Sequence, residues 1–175
     1  MKHRIFVAIG IPNDLQEEIL RWEKLHEKLP VRWLSGKNLH ITLVPPWHEE
    51  DIKTVAEKLT AVHSAVSPFE LAFNEVAYGP DARKPRLIWA GGKTPKELPA
   101  LKATLEHALE QKPENRLFRL HLTLARFRTE TFSSFPVKQL NEKISWRDTA
   151  HSFILMESHL APGGADYEIL QEFAL

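Results

Sequence analysis

Cysteine is absent from this chain of 175 residues, which excludes disulfides, iron–sulfur clusters, thiolate nucleophiles and cysteine-ligated zinc. A surplus of one charge is absent too. The 23 Lys and Arg residues are matched by 23 Asp and Glu, so no global positive field exists to hold a long nucleic acid by counterion release, and any RNA contact must be local. No apolar run approaches the ~20 residues that span a bilayer. The opening Met1-Lys2-His3-Arg4 and the short IFVAIGI run after it lack the longer apolar segment and small-residue cleavage site of a secretory signal. The expected address is the cytoplasm, with no membrane partner. HExxH and other metal-ligand spacings are missing, and His48-Glu49-Glu50-Asp51 reads as acids gathered at a helix start rather than as a metal cluster. No segment is low-complexity or linker-like.

What remains is an ordinary globular composition, 43% hydrophobic and 26% charged, in a length that fits one domain or two small, intimately packed lobes. Nine histidines stand out, because their side chains have unperturbed pKa values close to neutrality.

Local patterns predict strands over residues 4–11, 31–34, 39–44, 69–79, 87–92, 117–127, 151–160 and 167–173. The third of these is expected to stop at Pro45-Pro46. Helices are expected from Asn13, as N-cap with Gln16 completing a capping box, to Leu29; from Glu49 to Val66; and from Pro95 to Gln111 behind a Thr94 cap. A short fourth helix is expected over 136–143.

The strongest organisational signal is a repeat. Leu39-His40-Ile41-Thr42-Leu43 follows the first helix after about ten residues, and Leu120-His121-Leu122-Thr123-Leu124 follows the third at the same spacing. The expected fold is therefore α+β: a bilobal, pseudo-two-fold duplication over residues 1–175, each lobe an antiparallel sheet with two helices, with the active-site cleft between them.

On a strand, residues two apart share a face, so His40 and Thr42 point one way while Ile41 and Leu43 enter the core; His121 and Thr123 repeat the arrangement. Two histidines facing across a cleft suit in-line displacement at phosphorus. One imidazole takes a proton from the attacking oxygen and the other gives one to the leaving oxygen. The threonine hydroxyls can donate to the equatorial phosphoryl oxygens, where negative charge grows, so no metal or cofactor is called for. Lys84, Arg86, Arg119 and Arg128 are candidates for the cleft rim, and Trp33, Trp47 and Trp89 for stacking on a base. His3, His26, His63, His107, His151 and His159 lack a partner motif and read as structural.

LHITL and LHLTL resemble the paired HxTx signatures of the two-histidine phosphoesterases. The flanking RIFVAIGIP, VRWLSGKNLHITL, LIWAGG, RLHLTLAR and FILMESHLAPGGADYEIL are similar to the RNA 2',3'-cyclic phosphodiesterase branch, also called 2'-5' RNA ligase-like. The resemblance implies a hydrolase that opens terminal RNA 2',3'-cyclic phosphates to 2'-phosphates, acts as a monomer without cofactor or metal, and also joins RNA ends through a 2'-5' linkage. Its alternatives are a phosphodiesterase for small cyclic phosphates, such as 2',3'-cyclic mononucleotides or ADP-ribose cyclic phosphate, and a non-catalytic nucleotide-binding module. It carries over His40 and His121 as catalytic, with His40 as acid and His121 as base, and Thr42, Thr123 and Arg126 as substrate-binding. Strict alternation from His121 places Arg126 on the opposite face, so it reaches a phosphate only if the strand bulges or ends there. The sequence departs from the family pattern at Val44-Pro45-Pro46-Trp47, which alters the cleft rim.

Overall fold

Strand pairing, more than helix packing, organises this molecule. The computed structural model describes residues 1–175, in the order β1 (His3–Gly10), α1 (Asn13–Leu25), β2 (Arg32–Trp33), β3 (His40–Glu49), α2 (Ile52–Thr60), β4 (Phe69–Gly79), β5 (Leu87–Gly91), α3 (Glu97–Ala108), β6 (His121–Arg126), β7 (Asn141–Ala150), β8 (Ser152–Ala161) and β9 (Gly164–Ala174). The strands form two sheets, β3-β1-β8-β9 and β2-β6-β5-β4-β7, in which every pairing is antiparallel. α1 packs against β7 of the five-stranded sheet, while α2 and α3 pack against β9 and β3 of the four-stranded one. This is the expected α+β class with one motif strand in each sheet. No helix is long and apolar enough to cross a membrane.

The inward residues of both motifs are fully buried: Ile41 and Leu43 on β3, Leu122 and Leu124 on β6. Truncating such a side chain to alanine typically costs about 2–5 kcal/mol, so the faces opposite the histidines anchor each motif strand in the core.

Five local expectations are corrected. The predicted helix at 136–143 is instead a loop leading into β7, which pairs along β4 from Asn141 opposite Ala77 to Ala150 opposite Phe69. Cross-strand pairing outweighs the local helical pattern there, and the five-stranded sheet consequently carries one helix rather than two. β3 does not stop at Pro45-Pro46 but runs on to Glu49, which is possible because it lies at a sheet edge, where a residue lacking an N–H is tolerated. α1 ends at Leu25 because His26 turns its ring back onto Trp22, stacking at 3.9 Å and bonding through Nδ1 to the Trp22 carbonyl at 2.8 Å. Neither predicted N-cap bond forms at α1 or α3. Gln16 instead donates to the Ile11 carbonyl at 2.6 Å, and the Thr94 hydroxyl accepts from the backbone N–H of Leu120 at 2.9 Å, bracing the approach to the second motif. The α2 region is also shorter than its periodicity, spanning Ile52–Thr60 behind an Asp51 cap.

Candidate active site

β3 and β6 approach one another where the sheets meet, with Cα atoms within 8 Å. Each motif histidine stands opposite a glycine in its own ladder, His40 opposite Gly10 and His121 opposite Gly91. Immediately after each threonine the register slips by one residue. Thr42 pairs with Ala8 but Val44, not Leu43, pairs with Val7; Thr123 pairs with Trp89 but Ala125, not Leu124, pairs with Ile88. The repeat therefore extends beyond side chains to a bulge at the same place in both strands.

A bulge switches the face on which the following residues emerge. Arg126, opposite Leu87, is thereby returned to the face that carries His121 and Thr123, and it is exposed there. The same slip in β3 makes Pro45 the two-fold counterpart of Arg126, so the altered segment after the first motif puts an imino acid where the second motif has a guanidinium.

The two rings are held alike. Nδ1 of His40 bonds the carbonyl of Asn38 at 2.7 Å, and Nδ1 of His121 bonds the carbonyl of Arg119 at 3.0 Å, each two residues back along the chain. Because a carbonyl only accepts, Nδ1 is the protonated nitrogen in both rings. Nε2 is therefore the position free to exchange a proton; in His40 it lies 3.1 Å from the Thr42 hydroxyl.

Their surroundings differ. His40 packs against Phe6 (5.0 Å) and edge-on against Tyr167 (5.1 Å), whereas His121 lies beside Trp89 (5.2 Å). Burial pushes the His40 pKa down to about 4, against the opposing pull of the Asn38 carbonyl, and the nearby positive charges of Arg126 and His121 push it the same way. His40 is consequently neutral at pH 7 in the unliganded site.

A cleft of about 410 Å³ opens between the motif strands, with Thr42 and Pro45 on one wall and His121, Trp89 and Arg119 on the other. Trp89 lies across Gly79, where any Cβ would collide with the indole ring. Lys84, Arg86 and Arg128 are exposed outside this lining. Trp47 pairs opposite Ile5 and packs on the core, and Trp33 packs edge-on to Trp22 at 6.1 Å. His26 bonds Glu142 at 2.6 Å and His3 bonds Glu157 at 2.7 Å, both structural contacts.

Three residues at the site were not singled out by the sequence. Asn38 is buried, and its side chain bonds both the Ala165 carbonyl and the Tyr167 N–H at 3.2 Å, stitching β9 to the first motif. Tyr167 is the aromatic partner this brings to His40. Lys102, on α3, is buried and donates to the carbonyl of Leu43 at 2.7 Å, at the bulge, while pairing with Glu106 (2.7 Å) and Glu114 (3.2 Å). Only Lys102 left a signal: with Glu106 it falls on the stripe Leu98, Leu101, Leu105, Leu109, so the helical period places two charges on an apolar face. Asn38 and Tyr167 are joined by long-range contacts that no local pattern records.

Known proteins resemble this chain in sequence and in fold. The 2'-5' RNA ligase superfamily matches residues 11–161. The RNA 2',3'-cyclic phosphodiesterase of Archaeoglobus fulgidus is 27% identical over 176 residues, covering 97% of this chain and 99% of that protein. The Bacillus subtilis protein of the same name is 28% identical, covering 97% and 95%. The crystal structure of E. coli LigT complexed with 3'-AMP superposes with a TM-score of 0.77 at 26% identity, over 100% of this chain and 99% of that one.

Proposed function

Because the chain belongs to the 2'-5' RNA ligase superfamily, we propose that it is a metal-independent RNA 2',3'-cyclic phosphodiesterase, with His40 and His121 as the proton-transfer pair. Water attacks the cyclic phosphorus, the bond from phosphorus to the 3'-oxygen breaks, one imidazole takes the water proton and the other protonates the departing 3'-oxygen, leaving a 2'-phosphate. Thr42, Thr123 and Arg126 donate to the non-bridging oxygens, where charge accumulates. Attack of a 5'-hydroxyl oxygen in place of water on the same phosphorus, with the same 3'-oxygen leaving, accounts for 2'-5' joining. RNA ends and short oligonucleotides carrying the cyclic phosphate are the substrates that a chain without net charge can hold through local contacts.

The observation that carries this reading is the duplicated bulged strand: each sheet presents an imidazole and a hydroxyl on one face of its motif strand, and the two strands approach beside a cleft lined by Thr42 and His121. The acid role for His40 adds a condition. His40 is neutral in the free site, so it becomes an acid only when a phosphate anion against the ring raises its pKa, and substrate binding is then coupled to proton uptake.

The test is incubation of the pure protein, with EDTA present, with a short oligoribonucleotide ending in a 2',3'-cyclic phosphate. Opening to a 2'-phosphate is expected. A 3'-phosphate as the main product, or activity abolished by EDTA and restored by a divalent ion, overturns the mechanism.

A further inference from the structure

A second pocket of about 250 Å³, sharing no lining residue with the 410 Å³ cleft, lies between β2, β6 and the β8–β9 turn, with Arg126 in its wall. Arg32 and Arg126 stand directly opposite one another in the β2/β6 ladder, so their side chains leave the sheet on the same face. Like charges directly opposite across a ladder are destabilising. No carboxylate lines the pocket to offset them; the nearby Asp166 is already paired with Lys37 at 2.7 Å. The Arg32 guanidinium is nevertheless held in place. It donates to the Gly163 carbonyl at 3.0 Å and lies so close over Gly164, at φ +122°, that a Cβ there would strike it. That single bond leaves its other N–H donors for a ligand.

Two arginines lining one carboxylate-free pocket, one of them held by a backbone carbonyl, make an anion site, and its place says which anion. Arg126 borders both this pocket and the His121 face, and Tyr167, which touches His40, lines the pocket. Neither motif histidine and neither motif threonine lines this pocket, which sets a phosphate here apart from the one between the histidines.

We propose that this pocket is a second phosphate subsite, in which Arg32 binds the phosphate on the 5'-oxygen of the nucleoside that carries the cyclic phosphate. The proposal rests on the phosphodiesterase reading, and it makes the enzyme selective for nucleotides with a second phosphate over a bare nucleoside cyclic phosphate. A 5'-phosphomonoester, the phosphodiester of an RNA chain and a pyrophosphate share the chemistry that Arg32 recognises.

The test uses unreactive, product-like ligands, so that it does not depend on turnover. Calorimetric titration compares adenosine 2'-monophosphate with adenosine 2',5'-bisphosphate on the wild-type protein and on Arg32→Gln, whose exposed position spares the fold. The 5'-phosphate is expected to tighten binding about tenfold in the wild type, the scale of one hydrogen-bonded charge pair. Arg32→Gln should remove most of that factor while leaving adenosine 2'-monophosphate within about twofold of wild type. A wild-type gain below about twofold, or equal weakening of both ligands by the variant, overturns the subsite. Two further ligands, a dinucleotide with a 3'-5' diester and a 2'-phosphoadenosine with a 5'-pyrophosphate, separate the sources: dependence on Arg32 in either supports the subsite and names the linkage, and independence in both overturns it. Absence of cyclic-phosphate hydrolysis in a parallel assay would overturn the catalytic reading alone.

Discussion

The backbone carbonyl of Asn38 accepts from Nδ1 of His40 at 2.7 Å, while the Asn38 side chain holds the strand that brings Tyr167 onto the same ring. One residue thus sets both the tautomer of the imidazole and its dryness. In Asn38→Ala the carbonyl remains but the tether to β9 is lost. The expected result is a fall in hydrolysis of about tenfold, from a loosened ring, with the His40 pKa rising from its depressed value as water reaches it. Steady-state rates and an NMR titration of the His40 ring check the two halves of this prediction.

His40→Ala and His121→Ala should each lower hydrolysis by about 10²–10⁴, the usual contribution of a positioned acid or base. Both should lose 2'-5' joining in parallel, because a 5'-hydroxyl that replaces water gives its proton to the same base and the same 3'-oxygen takes one from the same acid. Circular dichroism should be unchanged, since neither ring fills the core. A variant that kept one reaction at full rate while losing the other would break the symmetric argument.

Anion binding should take up a proton. The free His40 pKa is held near 4 by burial and by the charges of Arg126 and His121; a bound anion raises it, and a group with a higher pKa in the complex favours binding as pH falls. Sulfate, which does not titrate in this range, should therefore bind more tightly at pH 5 than at pH 8. Calorimetry in two buffers of different ionisation enthalpy should detect uptake that disappears in His40→Gln. Affinity independent of pH would remove the coupling.

Glu23 on α1 is buried, with one carboxylate oxygen lacking a partner, and burial pushes its pKa up to about 7. A carboxyl raised on folding costs nothing below its unfolded pKa; the penalty grows as pH rises above that value and is complete above about 7. Glu23→Gln should therefore leave stability unchanged near pH 4 and raise it at pH 8 by roughly 1–3 kcal/mol. Thermal unfolding at the two pH values tests the sign.

Lys102→Met should destabilise by about 3–5 kcal/mol, because Glu106 is left buried without its cation. The double variant Lys102→Met/Glu106→Leu should recover most of that loss. It should not recover activity in proportion, since the carbonyl of Leu43 at the bulge stays without its donor. Full recovery of both would reduce Lys102 to a structural ion pair.

The parts of the molecule legible in the sequence were those written in short-range periodicity. Simple alternation predicts β4 to its observed ends, Phe69–Gly79, and the HxT faces follow from the same rule. β7 was missed because its pattern, with Ile144 and Trp146 inward among charged neighbours, gains its meaning only from pairing with β4. The face of Arg126 depended on whether the strand slipped after Thr123, and a bulge leaves no residue signature in Leu124-Ala125. Asn38, Tyr167 and Arg32 owe their places to contacts between segments more than a hundred residues apart.

The matched slips in β3 and β6 give the two motif backbones the same course, so the backbone alone does not tell one end of the cradle from the other. Arg126 has no twin, because Pro45 occupies the equivalent place. A guanidinium on one side, together with Phe6 and Tyr167 around His40 alone, gives the site a handedness. A cyclic phosphate entering this cradle therefore meets a guanidinium from one sheet and a ring without a donor from the other.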